Sequence, residues 1–140
     1  MILLDTNVIS EPLRQSGDKN VLRWMDAQTV ETLYLSTISL AELRFGIAVL
    51  PAGKKKEGLH ASLEQRILPL FAGRILSFDA PASQAYALLR ARARAEGKAI
   101  APTNGYIAAI ATLQGLMVAT RDTAPFVAAG LTVINPWEAS

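Results

Sequence analysis

The first seven residues, Met1-Ile2-Leu3-Leu4-Asp5-Thr6-Asn7, constrain the fold more than any other stretch of the chain. An apolar run stops at a carboxylate that is followed by two small hydrogen-bonding side chains. Such a run reads as a buried strand delivering Asp5 to the carboxyl edge of a sheet. In open α/β sheets, ligands bind in the crevice outside those strand ends. An Asp ahead of a helix is also a common N-cap. Taken alone, Asp5 fits either role.

The same punctuation recurs along the chain. A short helix is expected over Thr6 to Leu13, closed by Pro12, and an amphipathic helix from about Asp18 to Ala27. Thr32 to Ser36 reads as the second strand and Thr37 to Leu50 as a helix that Pro51 ends, with Thr37 or Ser39 as its N-cap. Lys54-Lys55-Lys56 reads as a solvated loop before a helix marked by Leu59, Leu63, Ile67, Leu68 and Phe71. Arg74 to Phe78 is a third strand, and Asp79 then caps a helix with Pro81 in its first turn and Gly97 past its end. Thr103 is read as the N-cap of the next helix, with Asn104 in its first turn. Leu116 to Thr120 and Leu131 to Ile134 complete five strands, with a short helix from Thr123 to Ala129 between them. Alternation of this kind predicts an α/β chain with a central parallel five-stranded sheet and helices on both faces, in three α/β/α layers. Trp24, Met25, Phe45, Phe71 and Tyr86 are expected in the core.

A length of 140 residues fits a single domain over 1–140. The absence of cysteine removes disulfides, thiolate metal sites and Cys catalysis, and suits a reducing cytoplasm. No apolar run approaches the roughly 18 residues of a membrane span, and no basic region precedes the first apolar stretch as in a signal peptide. A net charge of +2 permits nucleic-acid binding without requiring it.

Asp5 closes the first strand and Asp122 follows the fourth; Glu42 lies on the helix after the second, and Asn104 opens the helix feeding the fourth. A parallel sheet brings all four to one edge. Clustered carboxylates repel one another, a penalty that a divalent cation removes. With no His or Cys alongside, an all-oxygen donor set favours Mg²⁺ or Mn²⁺ over Zn²⁺.

Four blocks, LLDTNVIS, STISLAELRFG, PTNGYIAAIA and VATRDTAPF, resemble in order and spacing the signatures of PIN-domain nucleases. More narrowly, they are similar to VapC-type toxins of toxin–antitoxin pairs, in the FitB-like branch. The resemblance implies a PIN-like fold, with Asp5, Glu42 and Asp122 as three of four acidic metal and catalytic positions and Thr6, Asn7 and Thr120 supporting them. It implies Mg²⁺-dependent hydrolysis of RNA (Mn²⁺ as substitute), a homodimer, and a small antitoxin that wraps the toxin and closes the acidic groove. Arg90, Arg94 and Arg121 are candidate RNA contacts beside that groove; His60 is read as a surface residue without a catalytic role. A haloacid-dehalogenase-like phosphatase needs a second Asp where this chain has Asn7, and a receiver domain needs a Lys after a later strand, whereas none follows Lys98. A catalytically inactive module that binds antitoxin or nucleic acid is the remaining alternative.

The departure from the family pattern is Asn104, where an Asp is usual. Asn keeps a ligating carbonyl oxygen but loses a charge, which weakens metal binding and water activation. The expected outcome is that Asn104→Asp cleaves RNA much faster than the chain as it stands. Equal metal-dependent cleavage by the two proteins would contradict the assignment of position 104.

Overall fold

The computed structural model describes residues 1–139. Five parallel strands, β1 (Ile2–Leu4), β2 (Leu33–Ser36), β3 (Ile75–Leu76), β4 (Met117–Ala119) and β5 (Val133–Ile134), form one sheet in the order β3-β2-β1-β4-β5. The chain leaves β1 toward β2 on one side and later returns to β4 on the other. The strand order therefore reverses between β1 and β4, which is where such sheets open a crevice.

The helices are α1 (Thr6–Ile9), α2 (Lys19–Asp26), α3 (Thr37–Ala48), α4 (Lys54–Ala61), α5 (Ala80–Ala95), α6 (Pro102–Gln114) and α7 (Thr123–Ala128). They cover two separate apolar clusters. Alternation along β1 sends Leu3 to one cluster, with Leu89, Ile107, Val118 and Phe126. It sends Ile2 and Leu4 to the other, with Val8, Leu35, Leu43, Leu63 and Phe71. This is the three-layer arrangement expected from strands apolar on both faces. Among the described residues, no helix is long and apolar enough to cross a membrane.

Several boundaries differ from the sequence reading. The expected helix over Thr6 to Leu13 is split into α1 and a 3-10 turn at Glu11–Leu13, because Pro12 lacks the N–H that would continue it. Ser36, not Thr37 or Ser39, caps α3 by accepting the Ser39 N–H at 3.0 Å. Ala101, not Thr103, occupies the N-cap of α6, and Pro102 takes the first helical position, where its missing N–H costs nothing. The lysine run opens α4 rather than forming a loop, and the following segment passes through a π-helical stretch (Ser62–Ile67) and a 3-10 turn (Leu68–Phe71). β3 and β5 are shorter than expected, with two residues each. Phe71 is buried, and Trp24, Met25 and Tyr86 pack against the clusters. Phe45 is not in the core: it is 69% exposed on the outer face of α3.

Close approach of α5 and α6 carries Asn104 to the sheet edge. A Cβ at Gly105 would stand 2.8 Å from Cε2 of Tyr86, so the Asn-Gly pair serves helix packing rather than a hairpin turn. Tyr86 also stacks on Tyr106 with ring centroids 4.8 Å apart. Phe126 fills the cluster beneath α6 and α7 with no exposed surface. Phe126→Ala should cost about 3–5 kcal/mol of unfolding free energy, read from urea denaturation. A loss below 1 kcal/mol would place that ring outside the core.

Candidate metal centre

Asp5, Thr6, Asn7, Glu42, Thr103, Asn104 and Asp122 line one cleft of about 340 Å³ at the carboxyl edge. Every acidic or amide side chain expected at the site from the sequence is among them. Thr103, expected only as a cap, belongs to the cleft wall as well.

Asp5 follows β1, and its N–H donates to the Ala119 carbonyl at 2.9 Å, continuing the ladder to β4. Its carboxylate accepts the Thr6 N–H on Oδ1 and the Thr120 hydroxyl on Oδ2, both at 2.8 Å. Asp5 is thus at once the cap of α1 and a cleft residue. It is almost fully buried, and burial raises its pKa above the usual aspartate value. The bonds from Thr120 and Thr6 oppose that rise, while the charges of Glu42 and Asp122 add to it.

The residue beside Asp5 in the sheet is Thr120, fully buried at the end of β4. Its one proton goes to Asp5, and its oxygen accepts the Asp122 N–H at 3.0 Å and the Asn7 side-chain amide at 3.4 Å. A hydroxyl has one donor and two acceptor sites, so Thr120 has no hydrogen-bonding capacity left over. The Asn7 carbonyl oxygen accepts from the Arg121 N–H at 3.4 Å, so the Asn7 amide spans the turn after β4 with both its ends.

Glu42 is exposed on α3 and is tethered by Thr6, whose hydroxyl stands 2.6 Å from its Oε1. The same hydroxyl lies 2.9 Å from Oγ of Ser39. Since Thr6 has a single proton and gives it to the carboxylate, Ser39 supplies the proton of the second bond. Ser39 was legible in the sequence only as a helix-start residue; its part in orienting Glu42 depends on a contact across 33 positions.

Asp122 and Asp79 both precede helices, yet only Asp79 spends its carboxylate as a cap, accepting the Ala82 N–H at 3.0 Å. The Asp122 side chain makes no cap bond and faces the cleft. There its Oδ2 accepts from the Asn104 amide at 3.4 Å. Asn104 therefore meets Asp122 through its amide nitrogen, which leaves its carbonyl oxygen outside that contact.

The donor set is oxygen-only and carries three carboxylates, the chemistry of a Mg²⁺ or Mn²⁺ site. As placed, the side chains line the cleft without closing on one point: among the described residues, no group of three His, Cys, Asp or Glu is positioned to hold a metal ion. The residues fit a hard cation by type, and Asn104 holds Asp122 where a carboxylate at 104 would repel it. Arg90, Arg94 and Arg121 lie outside the cleft lining. His60 lies away from it as well, beside α3 in a separate pocket with Arg44 and Glu64.

The family model for the PIN domain matches residues 2–130. The chain is 58% identical to the VapC ribonuclease Y4jK of Sinorhizobium fredii, over 99% of each protein. It is also 58% identical to toxin FitB of Neisseria gonorrhoeae, over 98% of this chain and 99% of that protein. A solved structure of FitAB bound to an IR36 DNA fragment superposes with a TM-score of 0.96 at 54% identity, covering all of this chain and 98% of the other.

The raised pKa of Asp5 fixes the sign of a pH effect. The folded chain holds this proton to higher pH than the unfolded chain, so Asp5 costs stability as pH rises above the ordinary aspartate range. Asp5→Asn should therefore gain stability relative to the unmodified chain as pH goes from acid to neutral, in denaturation series. A difference independent of pH would contradict the burial of an ionised Asp5.

Proposed function

From the chain's membership of the PIN-domain family, we propose that it is a metal-dependent endoribonuclease, the toxin of a toxin–antitoxin pair. We read 1–140 as one PIN-like unit acting in the cytoplasm. The observation that carries the activity is the placement of Asp5, Glu42 and Asp122 in one cleft at the point where the strand order reverses.

In this reading Asp5, Glu42 and Asp122 hold Mg²⁺ or Mn²⁺, with Asn104 at the fourth position. A divalent ion so bound supplies a water of lowered pKa and offsets charge on the scissile phosphate. The chain's own part is to fix the ligands. Thr120 holds Asp5 from below, and the Ser39–Thr6 pair aims Glu42. Asn7, bonded at both ends of its amide, keeps the turn carrying Asp122 in register with α1. Such outer hydrogen bonds orient ligands and set affinity.

Partner binding has separate support. A groove of about 1060 Å³ starts at Thr6 and Glu42 and continues over Leu13, Leu43, Ile47, Leu50 and Leu59. An antitoxin segment lying there would cover the acidic cleft. Phe45 on α3 and Val49, which caps its C-terminal end, are 69% and 62% exposed and suit a homodimer contact.

One observation favours a second reading, an inactive module that binds only antitoxin or nucleic acid: the Asn104 amide occupies Asp122 as a donor. Cleavage of RNA with Mg²⁺ or Mn²⁺, against an EDTA control and Asp5→Ala, separates the two. The nuclease reading expects slow, metal-dependent cleavage that Asp5→Ala removes. No cleavage by the unmodified chain, together with intact antitoxin binding, would establish the second.

A further inference from the structure

Basic residues on this chain are held in several ways, and Arg74 and Lys56 donate to backbone carbonyls far from the acidic cleft. Arg14, Arg44 and Lys98 pair with Glu11, Glu64 and Glu96. Arg90 and Arg121 have no carboxylate within ion-pair distance among the described residues, and each instead lies over an aromatic ring. The Arg121 guanidinium is 4.7 Å from the centroid of Trp137; that of Arg90 is 5.4 Å from Tyr86 and donates to its phenol oxygen at 2.7 Å.

Both flank the acidic cleft. Arg121 sits between Thr120 and Asp122, and its N–H donates to Asn7. Arg90 lies one turn beyond Tyr86 on α5, and helical side chains lean toward the N-terminus. Because α5 follows β3, that direction is toward the carboxyl edge. The Arg90 stem accordingly reaches Gly105, where its Cδ would be 3.2 Å from an added Cβ. Gly105 adjoins Asn104, a cleft residue.

A ring orders a guanidinium without consuming the donors that a carboxylate would occupy. Both cations are therefore fixed in place with most of their N–H groups available. An acidic cleft that must admit a polyanion needs such charge at its rim, and guanidinium forks match phosphate oxygens.

We propose that Arg90 and Arg121, each clamped on an aromatic ring, are paired phosphate-binding residues that seat single-stranded RNA at the rim of the acidic cleft. Arg94, exposed on the same helix and over no ring, takes no part. The assignment rests on the ribonuclease reading for its substrate, but not on catalysis.

The test is binding of a fluorescent single-stranded RNA oligonucleotide in EDTA, by anisotropy, across a salt series. Arg90→Ala and Arg121→Ala should each weaken binding several-fold and lower the salt slope by about 0.7, the value for one phosphate contact on a single strand. Arg94→Ala should leave both unchanged. Arg90→Lys and Arg121→Lys, which keep the charge, should restore the slope and part of the affinity, with thermal melts confirming that all variants fold. Affinity and slope unchanged in the Arg90→Ala, Arg121→Ala double variant would overturn the proposal, as would an equal effect of Arg94→Ala. RNA bound through these arginines but never cleaved with Mg²⁺ would leave the assignment standing and remove the nuclease reading instead.

Discussion

The bond from Thr120 to Asp5 joins the ends of β1 and β4 where the strand order reverses, and the geometry of the cleft follows from it. Asp5 is nearly inaccessible to solvent, and a carboxylate there needs donors within the protein. Thr120 and the Thr6 N–H provide them. The Thr120 oxygen in turn fixes the backbone of Asp122, so one buried hydroxyl sets the positions of two of the three carboxylates. The third, on Glu42, is tied to the same turn through Thr6.

Stability and chemistry pull against each other here. Burial and the neighbouring charges of Glu42 and Asp122 all favour protonation of Asp5, although hydrogen bonds limit the effect. A fold selected only for stability would place an apolar or amide side chain at that position. Asn104 acts in the relaxing direction: it substitutes an amide donor for a further negative charge and bonds to Asp122. The same residue that calms the cleft leaves it one negative charge short of four carboxylates.

The sheet, its five strands and their parallel direction were legible in the sequence because each strand is a short apolar run ended by a polar punctuation, whereas the strand order was not. The acidic positions were legible for the same reason, since strand ends in a parallel sheet share an edge. Helix starts were less so: Ser36 and Ser39 are chemically equivalent as caps, and only backbone geometry assigns the cap to Ser36 and frees Ser39 to reach Thr6. Phe45 satisfied the apolar spacing of α3 yet faces outward, because periodicity gives a stripe and not what covers it. Asp79, read as a cap from Pro81 just after it, does accept the Ala82 N–H, whereas Asp122 also precedes a helix and makes no cap bond. The aromatic seats of Arg90 and Arg121 join residues whose rings come from separate choices of helix packing and chain end, and no local pattern announces them.

In the proposed function, Asp5, Glu42 and Asp122 form one divalent-metal site despite Asn104. A titration of the chain with Mn²⁺, following free ion by electron paramagnetic resonance, tests it without reference to RNA. Saturable binding at the cleft is expected, lost in Asp5→Ala and strengthened in Asn104→Asp. Binding of equal stoichiometry and affinity in all three proteins would contradict it.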